Sequence, residues 1–288
     1  LGPEALGALG IGNGIYFAIT LLGMGCVIGM DALVSQAVGA GEEKQARRIL
    51  WAGVRVAVLL AVPLMAIVAL AALALDLAGV EPGTAVQTKR FLLGRLGNTP
   101  PFLLFAAARS YLTAQGITRP IVLSMVLANI VNFIGNALLV YGDATLIRLG
   151  LPAIGLPALG VLGSGLSSSI ASVFSVVVLA VAIRQIPAPP DPSRRAPSRE
   201  LRRAILRLGL PFGLQTVAEV GVFAAVAVLA GRMGAHAAAG NTIAITLASF
   251  TFNVSLAIGA ATAMRVGLHV GRGDTNGARR AGLTGLLA

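Results

Sequence analysis

Val34–Gly53 reads VSQAVGAGEEKQARRILWAG and Val266–Gly285 reads VGLHVGRGDTNGARRAGLTG, one element written twice, 232 positions apart and without a gap. The shared positions are Val34/Val266, Val38/Val270, Gly39/Gly271, Gly41/Gly273, Ala46/Ala278, Arg47/Arg279, Arg48/Arg280 and Gly53/Gly285. At the same offset Gly2, Ala5 and Ile11 match Gly234, Ala237 and Ile243, so the likeness reaches into the apolar segment before each copy. A repeat this long, built mostly of apolar stretches, predicts a duplicated membrane protein rather than a solenoid of short repeats. Within each copy, Gly39 and Gly41 permit a tight turn, Glu42 and Glu43 suit the start of the next helix, and Arg47 and Arg48 supply charge. Topology and packing alone account for such a loop; closure as a gate is the other reading.

The composition around the repeat agrees. Hydrophobic residues make up 56% and charged residues 11% of the 288, whereas soluble domains carry about 25% charged residues. A helix crosses the hydrocarbon core with about 20 apolar residues. The apolar runs predict seven spans, at 6–29, 52–75, 91–113, 120–141, 159–183, 208–230 and 238–264, with Leu283–Ala288 opening an eighth. Long continuous runs without strict alternation favour helices over a β-barrel. The fold class is therefore an all-α polytopic membrane protein. Pro63, Pro100, Pro101 and Pro211 fall inside spans and mark expected kinks.

The net charge is +11, but its placement argues against nucleic-acid binding. Of 22 Lys and Arg residues, 17 fall in the alternate segments 31–55, 109–119, 184–207 and 265–280. That is the positive-inside pattern, and it assigns those segments to the cytoplasm of a multi-pass inner-membrane protein. The single cysteine, Cys26, excludes a disulfide framework. Ile186–Glu200, IPAPPDPSRRAPSRE, is the one linker-like stretch and is expected to be mobile. It separates residues 1–185, a first helical lobe, from residues 201–288, the start of a second. Six crossings lie between the two copies of the motif, so both enter the membrane in the same direction, as parallel repeats. With a six-span unit, the first lobe lacks its opening helix, the second has two helices and part of a third, and the whole protein has twelve spans.

Few residues can carry chemistry. Glu219 lies twelve residues from Arg207 and thirteen from Arg232, about 18 Å along a helix from either. A charge at that depth is costly, so it marks a candidate site for a proton or a cation such as sodium. Gln215, one turn earlier, can hydrogen-bond it. Asn132 and Asn136 form an i, i+4 pair that can coordinate a cation or substrate, or else bond neighbouring helices. Ser168, in the run Ser167–Ser169, is a hydroxyl ligand or simply a small packing residue. Asp31 reads as a solvated helix-end charge, and Arg95 and Arg109 as snorkelling side chains. His236 and His269 have no metal-ligand spacing. Neither a nucleophile–base pair nor a Walker motif occurs, so neither an enzyme nor an ATP-driven pump is expected and no cofactor is required.

At this point several stretches together resemble the multidrug and toxic compound extrusion family. They are GMDALVSQAVGAG at 29–41, RSYLTAQGITRP at 109–120, NFIGNALLVYG at 132–142, GVLGSGLSSSI at 160–170, LGLPFGLQTVAEVGVF at 208–223 and MRVGLHVGRGD at 264–274. The resemblance implies two six-helix lobes in the bilayer, opening alternately and exporting cationic amphiphilic compounds against a Na⁺ or H⁺ gradient. It places Glu219 at the family's second-lobe carboxylate, and Asn132, Asn136 and Ser168 in its first-lobe polar cluster. Where this chain has Asn136, one branch has Asp. A flippase for lipid-linked sugars is the alternative of like class, and would need a basic cavity. A seven-helix receptor is less consistent with the repeat, and Lys44 and Lys89 lie outside the spans. Nothing in the pattern specifies an oligomeric state.

Overall fold

The computed structural model describes residues 3–287 except 78–80, 149, 151, 154, 188–189, 192–194, 197 and 234. Of residues 3–4, 224, 227–228, 231–232, 235–239 and 242 it describes only the backbone. The side chain of His236, the end of the last apolar run at Ala288 and part of the linker therefore lie outside the described residues.

The described chain is helical. In order come α1 (Pro3–Ile28), α2 (Met30–Gly39), α3 (Glu43–Leu73), α4 (Pro82–Leu96), α5 (Thr99–Ala114), α6 (Arg119–Tyr141), α7 (Asp143–Arg148), α8 (Val161–Gln185), α9 (Arg199–Arg232), α10 (Ala235–Gly271) and α11 (Thr275–Leu287). Among the described residues, six helical stretches are long and apolar enough to cross a membrane. Apolar side chains cover the outside: Phe133 and Phe250 are 76% and 77% exposed, as hydrocarbon-facing residues of a membrane protein are. The protein is a multi-pass membrane protein.

Two expected spans take a modified form. The span expected at 91–113 is split between α4 and α5, because Pro100 and Pro101 have no N–H to bond the preceding turn. The span expected at 6–29 continues through α2. It bends at Gly29, where a Cβ would stand 2.6 Å from the Gly209 Cα. Pro63 and Pro211, by contrast, lie inside unbroken helices.

The main core gathers Val27, Met30, Val34, Val56, Leu64 and Leu103 from α1, α2, α3 and α5. Ile205 of α9 and Met264 of α10 insert into the same core, at the end of the bundle where the basic segments lie. Glycines set this contact. A Cβ at Gly209 would come within 2.7 Å of the Cys26 Cα, and one at Gly25 within 2.7 Å of the Gly213 nitrogen. Gly10, Gly14, Gly221, Gly240 and Gly259, farther from the basic end, have open space where a Cβ would go. Among the described residues, the helices before and after the linker thus pack closely at the basic end, whereas these five glycines make no such contact.

Within Ile186–Glu200, expected to be mobile, the described residues Asp191, Arg195 and Ala196 are held against α3. Arg48 pairs with Asp191 at 2.8 Å, Arg55 donates to the Ala196 carbonyl at 2.7 Å, and Arg195 stacks 4.5 Å from the Trp51 ring. These partners all project from α3, which supplies the order that the linker cannot supply itself.

Candidate functional site

The repeated element is built identically in both copies. Gly41 and Gly273 take φ of 73° and 71°, the left-handed conformation that glycine adopts freely. The main turn bonds recur in both copies. Glu42 N donates to Ala37 O at 2.9 Å and Asp274 N to His269 O at 3.0 Å, while Gly41 N and Gly273 N donate to Val38 O and Val270 O. Moreover, the copies face each other. A Cβ at Gly39 would lie 2.8 Å from the Leu268 carbonyl carbon and 2.9 Å from its Cα; one at Gly271 would lie 2.8 and 2.9 Å from the same atoms of Gln36. Since 268 is the repeat partner of 36 and 271 of 39, the contact is reciprocal about a local two-fold axis. That is the relation expected of parallel repeats, with α2 and α10 crossing at it.

Arg47 does more than supply charge. Its guanidinium donates to the Ile183 and Ile186 carbonyls at 3.0 and 2.8 Å and lies 5.0 Å from the Tyr111 ring. It therefore caps the C-terminal end of α8, whose last carbonyls have no intrahelical donor.

The predicted site residues form two separate groups. On α9, Gln215 Nε2 donates to Glu219 Oε1 at 3.1 Å, and both side chains are exposed. Glycines 209 and 213 mark the face of α9 that meets α1. At 100° per residue, Gln215 and Glu219 lie about 160° and 120° round the helix from Gly213. From Gly209 the same two residues lie about 120° and 80° round, so Gln215 points away from α1 and Glu219 to one side of that contact. Between α6 and α8, Asn136 Nδ2 donates to Asn132 Oδ1 at 3.0 Å, and Asn132 Nδ2 reaches Ser167 Oγ and Ser168 Oγ at 3.3 and 3.4 Å. Ser167 Oγ returns a 2.8 Å bond to the Asn132 carbonyl. Ser168 is the weaker partner and bonds its own helix through Ser164 O. The buried Ser167, rather than Ser168, ties the two helices together. The structure does not bring this neutral cluster against Glu219. Both groups offer oxygen atoms that could ligate a hard cation, and of the two only Glu219 can also take up a proton.

Two polar residues that the sequence presents as bland have specific surroundings. Arg95 does not snorkel. It bonds Asn13 Oδ1 and lies 4.5, 5.3 and 5.5 Å from the rings of Tyr16, Phe17 and Phe91. Tyr16, Asn98 and Thr99 are buried beside it. Arg95 is thus an ionic group held within the helices before the linker. Nor is Asp31 solvated: its Oδ1 is sealed from solvent beside Ser110 and Arg109 of α5. The sequence signal available for Arg95 was its place just before Asn98–Thr99–Pro100–Pro101, where a broken helix leaves polar groups to satisfy. For Asp31 there was none.

Repeated elements that meet about a local two-fold axis, with polar groups inside the spans, define a duplicated multi-pass membrane protein. Residues 1–138 and 211–288 match the MatE family model, and the chain belongs to that family. It is 31% identical to the probable multidrug resistance protein NorM of Synechococcus sp., over all of this chain and 61% of the relative. It is 34% identical to the probable NorM of Bradyrhizobium diazoefficiens, over 98% of this chain and 59% of that protein. The chain thus spans about three fifths of the length of these curated relatives. Its fold matches the eukaryotic MATE transporter AtDTX14 with a TM-score of 0.82 at 20% identity, over all of this chain and 62% of that one. It matches a MOP superfamily transporter from Pyrococcus furiosus with a TM-score of 0.83 at 21% identity, over 99% and 61% of the respective chains.

Proposed function

We propose that the protein is a secondary-active exporter of cationic amphiphilic drugs or toxic compounds, driven by inward flow of Na⁺ or H⁺ across the inner membrane. The observation that carries this reading is Glu219, the carboxylate within the apolar part of α9, bonded to Gln215 and lying to one side of the contact with α1. Multidrug resistance proteins among the relatives support the cargo. In a protein of the relatives' length, further spans would cover that face of α9, making Glu219 part of an enclosed chamber. A proton or cation there competes with a cationic substrate for the same charge. Coupling requires that each ligand favour a different arrangement of the lobes, since only differential affinity shifts such an equilibrium. Packing at the basic end with open space beyond corresponds to the outward-facing arrangement, if the basic segments are cytoplasmic.

The test is Glu219→Gln in the full-length protein, assayed by efflux of a fluorescent cation in everted vesicles with sodium and pH gradients imposed separately. The substitution keeps the hydrogen bond and removes the charge, so gradient-driven transport should be lost while the protein still inserts. Transport at the wild-type rate would reject the assignment. Whichever gradient drives the wild type identifies the ion.

A further inference from the structure

At the basic end, α3 and α9 border an open groove of about 540 Å³ lined by Val56, Leu59 and Leu60 on one side and by Arg199, Arg202, Arg203, Leu206, Arg207 and Leu210 on the other. Four arginines therefore share one groove with five aliphatic residues, and no acidic residue lines it. Among the described residues none of the four forms a salt bridge, and the Arg202 Nε is shut off from solvent without a hydrogen-bond partner. Exposed cations at a protein surface need no such explanation. Here, however, Arg207 lies eight residues along α9 from Arg199, about 12 Å toward the hydrocarbon. With the span beginning at 208, the row of guanidinium groups runs down to the membrane interface, where lipid phosphates lie.

We propose that this groove binds an anionic phospholipid of the leaflet at the basic end, its phosphate among Arg199, Arg203 and Arg207 and an acyl chain along Leu59, Leu60, Leu206 and Leu210. Guanidinium groups bind phosphate oxygens in a forked geometry, and the aliphatic wall continues from the arginines in the direction an acyl chain runs. Because α3 precedes the linker and α9 follows it, the lipid bridges the two parts of the chain. It thereby favours the arrangement in which they are packed together here.

Native mass spectrometry of the full-length protein titrated with phosphatidylglycerol tests this. Each arginine removed should weaken the first bound lipid about fivefold, which corresponds to about 1 kcal/mol. Arg203→Gln/Arg207→Gln should thus lose about 25-fold, and the Lys/Lys pair, which keeps the charge but not the fork, should recover only part of that loss. Arg119→Gln/Arg272→Gln, an equal charge change outside the groove, should lose less than twofold. Should the double Gln variant fail to fold, Arg199→Gln at the mouth of the groove gives the fivefold test. Equal binding of phosphatidylcholine overturns the proposal, as does an equal loss in the Arg119/Arg272 control. So does competition by inorganic phosphate or glycerol 3-phosphate as strong as that by the lipid, since the site would then recognise free phosphate.

Discussion

Adding one methyl group at the two-fold contact should unlatch the basic end. In Gly39→Ala the new Cβ meets the Leu268 carbonyl carbon at 2.8 Å and Cα at 2.9 Å, with the carbonyl oxygen nearer still. Ordinary contact begins near 3.4 Å, so α2 and α10 must separate by at least about 0.6 Å, and backbone cannot rotate aside as a side chain can. Overpacking of this kind costs about 1–3 kcal/mol, which shifts an equilibrium by about 5- to 150-fold. The reciprocal geometry demands that Gly271→Ala, whose Cβ meets Gln36 at the same 2.8 and 2.9 Å, have an effect of like size. Gly41→Ala is the control: it strains a φ of 73° but has no contact within 4 Å. Spin labels at Lys44→Cys and Asn276→Cys, exposed repeat-equivalent positions, would report the separation in a full-length Cys26→Ala background. Both glycine variants should add a longer-distance population that the control lacks. Unchanged distance distributions in both, or a large change in only one, would refute the two-fold latch.

Further expectations concern the same end of the molecule. Arg47→Ala removes two charged hydrogen bonds to the end of α8 and should lower thermal stability by about 2–3 kcal/mol, and Lys should rescue less than half because it cannot fork between two carbonyls. Asp274 is held below its ordinary 3.8 first by the Gly277 N–H and then by His269. With a depressed folded value, its contribution is present above pH 3.8 and lost as pH falls through the lowered value. Protection of the Gly277 amide from hydrogen exchange should therefore hold from pH 6 to 4 and fall below that, whereas a flat profile to pH 2 would contradict it. Gly267→Ser should disrupt the same latch, because a Cβ there lies 2.9 Å from the Ser35 Cβ, and the exchanged pair Ser35→Gly/Gly267→Ser should restore most of the loss.

The spans were legible because continuous apolar runs of membrane length leave few alternatives, and the repeat was legible because it preserves identities at a fixed offset. The break between α4 and α5 was less so: the prolines were visible, but not that they would divide the span rather than bend it. Contacts between distant segments were invisible. Arg95 meets Asn13 across 82 positions and Arg48 meets Asp191 across 143, and no local pattern announces either. That is why Arg95 was read as snorkelling and the linker as mobile. At the candidate site, the i, i+4 spacing correctly paired Asn132 with Asn136 and Gln215 with Glu219. The rotation of α8 could not be read from a run of three serines, so Ser167 was passed over for Ser168.

The repeated element carries more information than its identities, because a parallel repeat brings the same residues face to face. Away from the axis, position 39 of one copy meets the partner of position 36 in the other, and glycine is needed twice, as at Gly39 and Gly271. On the axis a residue meets its own counterpart, and two equal side chains would claim one space. Position 35 is such a place: Ser35 keeps its hydroxymethyl group, bonded to Ala32 O at 3.1 Å, and Gly267 has none. The symmetry must therefore break there. The departure from repeat identity at 35 and 267 follows from the same packing that conserves 39 and 271. An interface of this kind holds only while both helices keep their rotation. A small twist of α10 would withdraw all three contacts together, because all three lie along one face of that helix.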